Sequence, residues 1–558
     1  MLTRSGVLTV ISLLFLSLNL HAEPRSQVDD SELAAKAGAP LFEGMGNHHH
    51  PISTKDPNAQ RYFDQGLVLS FAFNHAESAR SFRAAQTLDP TCAMCFWGEA
   101  LALGPNINVT SDGKAIMGEE DRRQAYRASQ KALTLMDDAT PQEREFITAL
   151  AARYNGDPST PREPLDLAYL DAMRTLYANH PDSDDAASLF AEAMMNTMPW
   201  DYWLDAETPK PLAAEAISVL ETVLERSPEH PLALHLYIHA VEASNKPERA
   251  EPAADRLAGL VPGAGHLVHM PAHIYWRVGR YDDASEANIR AAAVDEEYIA
   301  ACNAQGFYPA MYYPHNIHFL WASSSMQGRR DLAIDSARRV AASVPVEMIE
   351  QFPQVEFFHT IPLLALTQFG LWEDILAAPA PREDFEYSNG IWHYARAIAL
   401  AKTGDLDSAT EERELLSQLK DATDVVFLDS LYYPATLLLD IADSLVLGEI
   451  ELQKGAVDNA LGHFENAVGI QDELPYMEPP FWYYPTRHAL GKALLADGRA
   501  ADAEAVYRRD LEIYPRNGWS MFGLVQSLTA QDKDASEIQQ QFELAWQRAD
   551  VELTASQF

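Results

Sequence analysis

Between Pro231 and Trp321 seven histidines recur at helical spacings: His235 and His239, then His266, His269 and His273, then His315 and His318. At about 100° of rotation per residue, His235, His239 and Glu242 fall within about 60° of one another on a helix. His266, His269 and His273 share a second narrow stripe, and His315 and His318 lie one turn apart. Imidazole is a common ligand for zinc, copper, iron and nickel, and a pair at i, i+3 or i, i+4 can hold one ion. Glu242, one turn past His239, suits either ligation or the orienting of an imidazole through its second nitrogen. Asn316, between His315 and His318, offers a further donor behind the ligands. The opposing interpretation is a set of buried histidines bonded to carboxylates and backbone, the usual fate of a lone helical histidine. Seven on successive stripes, with a glutamate in step, favour metal.

Many imidazoles with sparse carboxylate suit copper or zinc better than magnesium or calcium, and iron stays open. Seven or eight ligands exceed the needs of one ion, which leaves room for one or more. With an open coordination position, copper or iron points to an oxidoreductase and zinc to hydrolysis. The H-E-x-x-H arrangement of zinc peptidases is absent, as are a G-x-S-x-G elbow, a P-loop and a dinucleotide fingerprint. No catalytic residue is assigned.

The elements that must carry these stripes emerge from Ala59 onward. Tyr62, Gly66, Leu69, Ser78, Phe82, Ala85 and Pro90 keep the spacings of a helix-turn-helix unit of about 34 residues. Gly491, Leu494, Ala503, Tyr507 and Pro515 repeat that register, as do Gly448, Ala460, Phe464 and Ala467. Small residues let two helices approach, the aromatic fills the gap, and proline ends the second helix. The pattern resembles the tetratricopeptide repeat over most of Ala59 to Asp550. That resemblance implies an all-α, right-handed superhelical solenoid. Units starting near Pro231, Gly265 and Pro314 would then place all seven histidines on first helices, at places that face the concave groove in such arrays. The expected organisation is a signal peptide at 1–22, an extended arm at 23–57 and a first array at 58–376. A linker at 377–388, around AAPAPR, then leads to a second array at 389–558.

Other segments narrow the setting. Arg4 followed by an apolar run from Val7 to Leu16 reads as an export signal, with cleavage near Ala22, so a periplasmic or secreted protein is expected. No later run approaches the roughly 20 apolar residues of a membrane helix. A formal charge of −39 argues against nucleic acid as a partner. Cys92 and Cys95 frame a CxxC for which a local disulfide is the simplest expectation in an oxidising compartment, with a soft copper site as the alternative. Cys302 is left over and expected to be buried. His48, His49 and His50, stopped by Pro51, lie on a loop that is either idle surface or a ligand arm. Two proline-aromatic insertions, MNTMPWDYWLDAETPKP and DELPYMEPPFWYYP, either line a groove or plug a repeat junction. NHHHPIST, HLYIHAVEAS, HLVHMPAHIYWRVGRY and EPPFWYYPTRHALG resemble a group of exported bacterial tetratricopeptide proteins, which implies the fold and no activity. The alternative to a metal protein is a scaffold whose groove binds a peptide or protein.

Overall fold

A computed structural model describes residues 30–108, 118–302 and 308–558. The expected signal peptide lies outside the described residues. The chain is a succession of antiparallel helix pairs, from Pro57–Phe71 with His75–Leu88 to Gly518–Thr529 with Ser536–Ala545. It is an all-α solenoid of tetratricopeptide-type hairpins. Among the described residues the strands are Trp203–Asp205 and Thr208–Pro209, a short antiparallel ribbon inside the first proline-aromatic insertion.

The repeat register has a packing cause. A Cβ on Gly98 would stand 2.2 Å from the Phe82 ring, and one on Gly66 would stand 3.0 Å from it. Phe82, fully buried, thus packs into a slot between two first helices that only glycine leaves open. Tyr507 fills the same slot between Gly491 and Gly523, and Phe464 does so at Gly448.

The arm before the array is not wholly extended, as the sequence had suggested. Asp30–Ala37 is a helix with Leu33 and Ala37 buried, because its apolar positions fall on one face. The segment after it lies along the first repeats, with Phe42 N–H donating to Gln65 Oε1 at 2.7 Å and Ser53 Oγ to Glu143 Oε2 at 2.6 Å. At the expected linker, residues 378–385 are non-helical and Glu386–Thr403 begins directly after them.

Both flanks of the solenoid come back onto its centre. Asn108 Nδ2 donates to Tyr312 Oη at 3.0 Å, and Tyr298 Oη to Asn74 Oδ1 at 3.2 Å. From the other side, Trp519 Nε1 donates to the Ser325 carbonyl at 2.9 Å and Asp550 N–H to the Gly328 carbonyl at 3.1 Å. The concave side is therefore closed into an interior. Cys92 and Cys95 form a disulfide, and Cys302 is partly exposed rather than buried. Among the described residues no helix is long and apolar enough to cross a membrane.

Gly98→Val forces a side chain into the Phe82 ring and is expected to destabilise by about 1–3 kcal/mol. Phe82→Ala, which empties the same slot, should cost about 3–5 kcal/mol. Thermal melts followed by circular dichroism check both, and unchanged midpoints would contradict this packing.

Candidate metal centre

Three successive hairpins supply the histidines. His235 and His239 sit on Pro231–Val241, and His266, His269 and His273 on Gly265–His269 and Pro271–Arg277. His315 and His318 sit on Tyr313–Met326. Pro271 lacks an N–H and interrupts the second helix after Met270, yet Met270 stays right-handed helical, so the 266–269–273 stripe holds. Met270 N–H still donates to the His266 carbonyl at 3.0 Å.

The tautomers follow from the hydrogen bonds. His235 Nδ1–H donates to the Phe71 carbonyl at 2.6 Å, and His239 Nδ1–H to Glu242 Oε1 at 2.8 Å. His269 Nδ1–H donates to Asn288 Oδ1 at 2.6 Å, and His273 Nδ1–H to Glu242 Oε2 at 2.6 Å. Each of these rings therefore turns Nε2 toward its neighbours. His235 Nε2, His239 Nε2 and both His266 nitrogens are buried without a hydrogen-bond partner. Such orphans ordinarily cost about 1–3 kcal/mol each, a cost that a metal ion or a buried water relieves.

The rings fall into two adjoining groups of three, His235–His239–His266 and His269–His273–His315, each with ligand atoms within 4.8 Å of one another. His239 and His273 rings are 5.4 Å apart across the groups, and His266 and His269 rings 5.7 Å. His269 Nε2 and His273 Nε2 stand 2.9 Å apart with both Nδ1 protons committed elsewhere. Two neutral lone pairs repel at that distance, so a proton or a metal ion must bind there. Nitrogens so placed, each roughly 2.0–2.1 Å from an ion, subtend about 90° at it, the angle of two cis ligands on tetragonal copper and narrower than the tetrahedral angle of zinc.

Burial first, and then the neighbouring imidazoles, hold His235, His266, His269 and His315 well below the usual histidine range. They are neutral, as ligation requires. His273 differs: burial opposes its charge, but the Glu242 and Glu478 carboxylates together outweigh burial and push it up to about 10, so without an ion His273 holds the proton shared with His269 Nε2, and a metal bound there must displace it. Burial likewise opposes ionisation of Glu242, yet His273 and His239 keep it ionised. Glu478, raised to about 7 chiefly by burial, reaches His273 Nδ1 at 3.3 Å.

Several positions depart from expectation. His318 joins no group: it packs against Trp321, Phe357 and Phe358, and burial alone lowers it to about 3. Its spacing from His315 equals that of His269 from His266, so the helix does not separate it; its ring turns instead into the aromatic cluster of Phe357 and Phe358. Asn316 Nδ2 donates to Asp295 Oδ2 at 2.7 Å, and the amide behind a ligand is Asn288 instead. Glu242 orients two imidazoles from one carboxylate. The stripes face no open groove: His235, His239, His266, His269 and His273 are all at most 2% exposed. Both proline-aromatic insertions cover them, with the Trp200 ring 5.0 Å from His239 and Tyr476 Oη 3.5 Å from Glu242 Oε2.

Phe73, Trp200 and Tyr432 adopt left-handed backbone at φ 56, 63 and 64. Left-handed backbone costs a non-glycine residue roughly 1–2 kcal/mol. Phe73 lies 4.5 Å from His235, and Trp200 and Tyr432 line a cavity with His239 and His315. Strain of this kind gathers at functional sites. None of these three residues carried a signal in the sequence as a histidine neighbour; Glu478 lay unremarked within the second insertion.

No protein-family model matches the chain, and no curated protein does. Among solved structures, a human IFIT1 dimer with m7Gppp-AAAA is similar over 78% of this chain and 88% of that one, at 15% identity and TM-score 0.31. Naa15/Naa10 bound to HypK-THB is similar over 89% and 90%, at 12% identity and TM-score 0.22. The APC/C hetero-tetramer Cut9–Hcn1 is similar over 88% and 90%, at 14% identity and TM-score 0.20. Scores of this size transfer nothing to this chain, whose fold rests on its own helices.

The histidine tract serves a different carboxylate. His50 Nδ1–H donates to Asp185 Oδ2 at 2.7 Å, while His48 Nε2 and His230 Nε2 approach Oδ1 at 3.1 and 3.0 Å. His230 Nδ1 accepts from Ala233 N–H at 3.3 Å, so its Nε2 carries the proton and has no lone pair for an ion. The cluster is a clasp that ties the arm to the array. Burial opposes ionisation of Asp185, but the three histidines hold its carboxyl well below the usual range. Burial also opposes the charge on His50, which Asp185 nevertheless raises.

Asp185 stabilises above about pH 3.9, its unfolded value, and loses that contribution as pH falls through its depressed folded value. His50 stabilises fully below about pH 6.5 and loses that contribution as pH rises through its raised folded value. Asp185→Asn is expected to lower the melting point more at pH 5.5 than at pH 8.5, through a loss of about 1–3 kcal/mol. Melts across that range check it, and a deficit independent of pH would contradict the clasp.

Proposed function

We propose that this protein is an exported, metal-dependent solenoid whose interior holds transition-metal ions, copper or zinc before iron, on two adjoining sets of three histidines. The observation that carries this is the facing of His269 Nε2 and His273 Nε2 at 2.9 Å, with both Nδ1 protons held by Asn288 and Glu242. The donor set supports the choice of metal, since neutral imidazoles suit copper and zinc. Three nitrogens per ion leave a coordination position open, which is the plan of a catalytic site rather than a structural one. When bound there, copper would supply one-electron chemistry and zinc an acidified water. Glu242 keeps Nδ1 of His239 and His273 protonated and their Nε2 atoms turned to the ligand side. Phe73, Trp200 and Tyr476 shield the set from bulk water. The apolar stretch Val7–Leu16 supports export. A peptide-binding groove has less support, because the histidine face is buried.

Protein purified without a nickel column is expected to carry stoichiometric copper or zinc by elemental analysis. A His269→Ala, His273→Ala double variant should lose at least the ion of that set, whereas His318→Ala should retain the full complement. Glu242→Gln, which removes an orienting carboxylate, should weaken metal affinity by about 10–100-fold. Metal-free wild-type protein that takes up neither ion on titration would refute the proposal.

A further inference from the structure

The histidines form only one wall of a cavity of about 170 Å³; the other walls include Met311, Tyr312, Phe357, Tyr433, Met477 and Phe481. We infer that this cavity binds a small aromatic molecule carrying one hydroxyl or amino group, an inference that rests on the metal centre proposed above.

Size comes first. A dry protein cavity of roughly 150 Å³ accepts benzene. A space of about 170 Å³ therefore suits one six-membered ring with a small substituent, and is too small for a peptide side chain together with its backbone. A wider vestibule of about 900 Å³ shares Asn108, Trp200, Tyr432 and Phe481 with it and gives access from outside.

The walls select for a ring. Phe357 and Tyr433 stack at 5.2 Å with planes 15° apart, and Tyr433 meets Phe481 edge-on at 5.6 Å. An aromatic guest continues that alternation of offset and edge contacts. The thioethers of Met311 and Met477 favour an aromatic partner in the same way.

Polar groups converge on one side. Glu478 is 6% exposed and lines the cavity, with its Oε2 3.3 Å from His273 Nδ1, whose proton goes to Glu242. A guest hydroxyl or amine can donate there while its own lone pair faces the histidine wall.

The test is a 19F NMR titration of 4-fluorophenol into the zinc-loaded full chain, with zinc content measured in the same samples. Saturable binding is expected, at least ten-fold weaker in Phe481→Ala and in Phe357→Leu, both with zinc and melting behaviour retained. Cyclohexanol should not compete. Full zinc occupancy without 4-fluorophenol binding overturns this inference and leaves the metal centre standing. So does equal competition by cyclohexanol, or an unchanged affinity in both variants. Failure to take up either zinc or copper is a failure of the metal centre itself and removes both.

Discussion

One buried carboxylate organises the interior. Glu242, 1% exposed, takes a hydrogen bond on each oxygen, from His239 and from His273. A lone ionised carboxylate at that depth would shift its equilibrium and take up a proton. Here two imidazoles and their protons keep it charged, and that fixes which nitrogen of each ring remains free. Its position is fixed in turn by the end of the Pro231–Val241 helix, where Glu242 is the C-terminal cap. Arg277 donates to the Glu242 carbonyl and, at 3.1 Å, to that of Ser244, clamping the turn from the next hairpin.

The rest of the site depends on enclosure. Low dielectric strengthens each of these bonds, and burial holds most of the imidazoles neutral. Enclosure needs the flanks of the solenoid to return to its centre, and they do so through few, specific contacts. Tyr308 shows how local the positioning is. Its hydroxyl donates to Asp295 Oδ1 at 2.8 Å and accepts from His266 N–H at 3.2 Å, anchoring the start of the histidine helix. A Cβ on Gly265 would stand 1.9 Å from Asp295 Oδ1, so glycine there is what allows the approach.

Much of this was legible in the chain. The pairing of Gly66 with Phe82, and of Gly491 with Tyr507, marks helix packing at a fixed interval, which makes the hairpin array readable. The stripes on Pro231–Val241 and Gly265–Arg277 were equally plain, because ligands on one helix obey its 100° step. Contacts between hairpins were not plain. Asn288 stands behind His269 where Asn316 had looked the better placed, and His318 turns into the Phe357–Phe358 cluster. His230 lies just outside the repeating stripe, and its partner is Asp185, which it shares with His48 and His50. No local period reports such pairings.

Periodicity along the chain thus determined the helices, their pairing and the faces on which the histidines stand, since all three follow from short-range geometry. Which rings meet, which nitrogen each leaves free, and whether the face is open or sealed were decided only by tertiary structure. Those outcomes depend on side chains brought together from far apart, such as Glu242 with Glu478 and His235 with the Phe71 carbonyl. The curvature of the solenoid sets those distances, and it is the sum of many small packing angles that no single motif encodes.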